Sequence, residues 1–96
     1  MSVTVSVKNG RLIIKNNNSL VSDMGGPFIE AETDGKSIFA VTDKGRIQEL
    51  RLDGKFVRDI VTGGAVRAKC SGDILVVTKN NGRTEEYRDG RLIKSY

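Results

Sequence analysis

The chain has 96 residues, 16 of them basic and 12 acidic, with no histidine and a single cysteine. That length allows one small domain, and one cysteine excludes an internal disulfide. The lack of histidine removes the commonest general base and metal ligand. The net charge of +4 divides as +1 over residues 1–48 and +3 over 49–96, with no basic block, unlike the concentrated stripe of a dedicated nucleic-acid binder.

The opening MSVTVSVKNG has no basic region leading into an apolar run, so it does not read as a signal peptide. Val3, Val5 and Val7 alternate with Thr4 and Ser6, the pattern of a half-buried strand. Asn9-Gly10 turns it into a second strand, Arg11 to Lys15, because glycine and asparagine tolerate the positive φ of a tight hairpin. Asn16 to Ser19 reads as a polar break, and residues 20–27 as a connector ending in Gly25-Gly26-Pro27.

Four strands are expected next. They are Phe28 to Thr33, Ile38 to Thr42, Arg46 to Leu52 and Lys55 to Ile60, joined at Asp34-Gly35, Asp43-Lys44-Gly45 and Asp53-Gly54. The second of these is apolar on both faces and should be covered on both sides. After Gly63-Gly64 the pattern recurs as Ala65 to Cys70, Ile74 to Thr78, Arg83 to Arg88 and Arg91 to Tyr96. Ile38 to Ile74 and Gly54 to Gly90 are each 36 residues apart. The hairpin VKNGRLIIK matches RLDGKFVRD and YRDGRLIKS, so the N-terminus reads as the last half of an earlier repeat. The expectation is one all-β domain over 1–96, made of a half repeat (2–15) and two full repeats (26–60 and 63–96). Its fold class is antiparallel four-stranded meanders arranged as propeller-like blades.

Pro27 to Ala31, Ile38 to Asp43, Arg46-Ile47-Gln48 and Asp53-Gly54-Lys55-Phe56-Val57 resemble NHL-type β-propeller repeats. The resemblance is good over 27–60, fair over 65–96 and partial over 3–15. Lys79 stands where the first repeat has Asp43, and Arg83-Thr84-Glu85 where it has Arg46-Ile47-Gln48. The resemblance implies a scaffold for protein contacts, with RNA binding in some members, and packing for Phe56.

Two and a half repeats cannot close a ring, so homo-oligomerisation is expected to cover the open ends. Glu30 and Glu32 align with Arg67 and Lys69, a sign reversal from one repeat to the next. These four charges are expected to meet across a blade or subunit boundary, line a shared channel, or simply be solvated. The aligned set Ile29, Ala31, Thr33 against Val66, Ala68, Cys70 reads as a core face. Cys70 reads as a small buried hydrophobe. The function expected is a self-assembling, non-catalytic interaction or scaffold module with no cofactor, metal site or membrane span, in the cytoplasm. The runner-up is an RNA- or anion-binding module using Arg83, Tyr87, Arg88, Arg91 and Lys94, with tyrosines as stacking platforms. Lectin-like small-ligand binding at blade junctions is the third reading.

Overall fold

The computed structural model describes residues 2–96. Among them there is no helix, and every element is a strand. β1 (Val3–Lys8), β2 (Arg11–Asn16) and β3 (Ser19–Gly25) form a three-stranded meander, sheet 1. β4 (Phe28–Thr33), β5 (Ile38–Thr42), β6 (Ile47–Leu50) and β7 (Phe56–Val61) form sheet 2. β8 (Ala65–Ser71), β9 (Ile74–Lys79), β10 (Thr84–Arg88) and β11 (Arg91–Ser95) form sheet 3. All pairings are antiparallel between sequence neighbours, and the sheets stack face to face in an arc of 39 × 26 × 18 Å.

The connector expected at residues 20–27 is therefore mostly a strand, β3. The turn that starts it contains no glycine. Asn17 and Asn18 take positive φ of 52° and 70°, which asparagine tolerates better than other side chains. A search for glycine-marked turns passes over it.

Backbone bonds between sheets then fix the phase of the repeat. The amide of Phe28, opening β4, donates to Gly10 O at 2.8 Å, and that of Ala65, opening β8, donates to Gly45 O at 3.0 Å. Asp43 N–H donates to Pro27 O at 3.2 Å as Asn80 N–H donates to Gly64 O at 2.7 Å. The β1–β2 turn is thus the equivalent of the β5–β6 turn. Sheet 1 supplies the second, third and fourth strands of a repeat, not the third and fourth as the hairpin match implied. Asn80, not Lys79, is the counterpart of Asp43. In this register the second strands of the two full repeats, β5 and β9, are offset by 37 residues rather than 36. That single-residue slip exchanges the faces of β9 relative to the expected alignment.

Two cores result. Leu12, Ile14, Phe28, Ile38, Ala40 and Leu50 fill the junction of sheets 1 and 2, with Val3, Val5, Val7 and Met24 packed against them. Val41, Ile47, Val61, Ala65, Ala68, Leu75 and Val77 fill the junction of sheets 2 and 3. β5 is covered on both faces, as its sequence requires: Ile38 and Ala40 serve one core, Phe39 and Val41 the other. β9 is covered on one. Leu75 and Val77 are buried, whereas Ile74 and Val76 on its other face are half-buried at the end of the stack. Val41 and Val77 meet in one core, between two sheet faces rather than inside a barrel.

Candidate interaction surface

β4 and β8 form the inner edges of sheets 2 and 3 and lie side by side. Glu30 and Glu32 project from β4 towards β8. Glu32 Oε1 accepts the amide of Cys70 at 3.1 Å, and Glu30 lies near the amide of Ala68. Glu32 thereby caps a free backbone donor on β8, and Glu30 faces the next one along the edge. Burial pushes the Glu30 carboxyl above its ordinary value; the Ala68 amide and Arg67 pull it back, Glu32 adds to the rise, and Lys69 opposes it. Arg67 and Lys69 lie on β8 close enough to be felt, but no ion pair joins them to Glu30 or Glu32 among the described residues.

Sequence reasoning missed Glu49, the one buried charge among the described residues. It stands two residues from Ile47 on β6, on the same face, and so is turned towards the second core. Arg58 Nε donates to its Oε1 at 2.7 Å, and Ser37 Oγ donates to its Oε2 at 3.0 Å. The ion pair and hydroxyl offset the cost of taking the carboxylate out of water. Beside it lies a cleft of about 60 Å³, bounded by Phe39, Glu49, Arg58, Asp73 and Tyr87. A shallower cleft of about 530 Å³ lies at the first junction, bounded by Pro27, Asp43, Lys44, Arg46 and Gln48. These are the places for a small ligand at blade junctions; the first is far below the several hundred Å³ of a typical ligand pocket. No cluster of three or more Asp, Glu or Cys side chains suited to a metal ion occurs among the described residues.

The residues considered for RNA do not form one surface. Tyr87 is packed against the second core and its hydroxyl donates to Glu85 at 2.8 Å, so it cannot serve as a stacking platform. That burial and the Glu85 carboxylate raise its pKa to about 12. Tyr87 faces inwards because it lies opposite Leu75 in the ladder. Arg83 is held by Ser95 at 2.9 Å and Arg88 by Asp73 at 3.3 Å. Arg91 is exposed, and the Lys94 ammonium sits 4.8 Å from the centroid of the exposed Tyr96 ring. Cys70 is half-buried; burial first, then Asp34 and Glu32, raises its thiol to about 11, which keeps it an unreactive thiol.

The exposed apolar side chains follow a rule that the sequence did not reveal. Leu20 and Val21 on β3 are 63% and 44% exposed, Phe56 and Val57 on β7 57% and 46%, and Leu92 and Ile93 on β11 53% and 48%. Each pair opens the outermost strand of its sheet, two residues after a tight turn: Asn17-Asn18, Asp53-Gly54 or Asp89-Gly90. In each pair the second residue is the extra one at a register shift, between Ile14/Lys15, Glu49/Leu50 and Glu86/Tyr87 of the neighbouring strand. A bulge bends the strand and leaves that residue outside the ladder. The expected packing of Phe56 is thus corrected: it stands on the outer rim. Ile29 and Val66 are corrected for a related reason. Each sits at a register shift near the start of an inner strand and is 49% and 47% exposed, not on the core face.

No protein-family model matches the chain, and no curated protein matches it. Six chains of solved structures do. Among them is the N-terminal domain of Nup159, a β-propeller, which is 11% identical and superposes with a TM-score of 0.66. The superposition covers 99% of this chain and 30% of that one. The chain is an arc of propeller-like blades. At this identity the likeness establishes the fold and nothing further, and the chain spans 30% of the length of the propeller it matches.

Proposed function

We propose that this protein is a non-catalytic interaction module, a scaffold whose outer rim docks a protein partner. One observation carries the reading: an exposed apolar pair recurs at the same bulged position of all three sheets. Edge strands are ordinarily protected by charges and bulges, and polar residues would serve there equally well. Apolar side chains repeated along a rim mark a contact surface. Lys15, Lys55 and Arg91 lie beside or across from these pairs, so the matching partner surface has an apolar centre and acidic surroundings. The NHL-type resemblance supports a scaffold role, although the packing it implies for Phe56 is not what the rim presents.

Self-association in the cytoplasm is the second part of the proposal. Ile74 and Val76 at one end of the stack, and Ile13 at the other, are the half-buried apolar residues that a second copy would cover. Lys69 and Lys94 share the face of Val76, and Lys15 lies on the face of Ile13. Glu86 shares the first of these faces and Asp23 the second, so each end is an apolar centre with mixed charge around it. The RNA or anion reading retains Arg91, Lys94 and Tyr96 only.

The test compares wild type with a Leu20→Ser, Phe56→Ser, Leu92→Ser triple variant. Circular dichroism should show an unchanged fold, since all three side chains are exposed. A partner retained on immobilised wild type should be lost on the triple variant but kept on Thr4→Ser. Retention by all three proteins would refute the rim. Light scattering at low and high salt reads self-association separately, and salt-sensitive binding of a short single-stranded RNA would favour the runner-up.

A further inference from the structure

Sheet 1 is one strand short. Sheets 2 and 3 have four strands each, sheet 1 has three, and the position left empty is the innermost. In sheets 2 and 3 the strand equivalent to β1 is paired on both edges. β1 is paired on one. Asn9-Gly10 is a two-residue turn, so Lys8 and Arg11 form a bonded pair, and alternate residues of β1 follow the same phase. The bond from Asn17 N–H to Ser2 O at 2.8 Å keeps that phase to the end of the hairpin. Lys8, Ser6 and Thr4 therefore bond to β2, and the N–H and C=O groups of Val3, Val5 and Val7 point to the free edge. No bulge, proline or charge interrupts β1 before Lys8, unlike β3, β7, β8 and β11. At the same corner the amide oxygen of Asn16, across the ladder from Val3, is buried without a hydrogen-bond partner.

A second observation says what belongs there. The first strand of sheet 2 presents two carboxylates to the first strand of sheet 3: Glu32 caps the outward amide of Cys70 at 3.1 Å, and Glu30 faces the outward amide of Ala68. On β4 the same ladder phase turns the amides of Ala31 and Thr33 outwards, because the Asp34 to Ser37 bond makes Glu32 and Phe39 a bonded pair. Among the described residues no side chain accepts from those two amides, whereas Glu32 accepts from the equivalent Cys70 amide. Their caps would come from the strand that sheet 1 lacks.

We propose that the inner edge of sheet 1 is an acceptor site for an extended, acidic segment of a partner polypeptide. The segment pairs with Val3, Val5 and Val7 and presents carboxylates at alternate positions to the amides of Ala31 and Thr33. A second copy of this chain cannot supply it. β8 carries Arg67 and Lys69 at the corresponding positions, and Glu85-Glu86 on β10 are adjacent and point to opposite faces. β4 itself is committed between β5 and β8. The site is distinct from the outer rim, so the two proposals stand or fall separately.

The probe is a synthetic peptide copying residues 26–34, GPFIEAETD, with a control carrying lysine in place of both glutamates. In free protein the amides of Val3, Val5, Val7, Ala31 and Thr33 should exchange rapidly with deuterium. Saturating peptide should slow all five by about tenfold or more, and the lysine control should not. Val5→Pro removes an outward donor without touching the β1–β2 ladder and should abolish peptide binding. Should that variant unfold, hydrogen exchange on wild type still decides. Protection of β3, β7 or β11 instead, or equal binding of the lysine peptide, overturns the proposal. So does protection of Val3, Val5 and Val7 without peptide, and a dimer by light scattering would then identify a second copy as the occupant. The rim triple variant should bind the peptide as wild type does.

Discussion

The two junctions of the stack share one backbone plan and differ in what fills them. The core of the first is apolar, with Leu12 and Ile14 meeting Ile38, Ala40 and Leu50, and the Asn16 amide stands at its edge. The second has a comparable core, but Glu49, Ser37 and Arg58 are set into its outer part. The equivalent glycines differ too. A Cβ on Gly10 would lie 3.5 Å from Pro27 Cβ, in ordinary contact, whereas one on Gly45 would come within 2.5 Å of Gly64 N and 2.6 Å of Ala65 N. The second junction is the tighter at the inner turn and the more polar at the rim. A repeat therefore fixes the strand order and turn bonds, while each junction carries its own chemistry, and at the second the buried Glu49 carboxylate is partnered by Ser37 and Arg58.

The largest expected effect comes from breaking the apolar junction. Ile38 is fully buried between two sheets, and Ile38→Ala should cost about 2–5 kcal/mol in urea unfolding, a large share of the stability of a small domain. A loss below about 1 kcal/mol would mean that sheet 1 does not depend on this contact. Next comes the pair of glycines. Both have positive φ, 77° at Gly10 and 81° at Gly45. Gly10→Ala should cost only the backbone strain, roughly 1–2 kcal/mol. Gly45→Ala adds a clash with backbone and should cost about 1–3 kcal/mol more. Equal melting temperatures for the two variants would contradict the difference in tightness.

The smallest effect is electrostatic. Folding raises the Glu30 pKa above its value of 4.5, so the folded state binds this proton more tightly than the unfolded state. Its contribution is fully present below pH 4.5 and is lost as pH rises through the folded-state pKa. Glu30→Gln keeps an acceptor for the Ala68 amide and removes the titration. Its melting temperature should vary less than that of wild type between pH 4 and pH 7. An unchanged pH slope would place the source of the shift elsewhere.

Much of this fold is legible residue by residue. The Asp-Gly and Asn-Gly dipeptides mark turns because few residues adopt positive φ. The apolar character of Ile38-Phe39-Ala40-Val41 demands a sheet on either side, and the structure provides both. The sequence suggests Tyr87 as a surface platform and Phe56 as a packed residue, and the structure reverses both. Ladder register decides the first, by setting Tyr87 opposite the buried Leu75. A bulge beside its outer-strand pairing decides the second. Neither is visible in a run of residue types, because a single inserted residue exchanges the two faces of a strand.

The sequence by itself determined an all-β chain of tight hairpins, its repeat near 36 residues, and strands that need neighbours on both faces. These follow from backbone sterics and alternation, which act over a few residues. Only the tertiary structure decided the phase of the first sheet, the outward placement of the three rim pairs, and the unpaired inner edge of β1. Those depend on which strand meets which across the stack, through bonds such as Phe28 to Gly10 and Ala65 to Gly45 that join residues far apart in the chain.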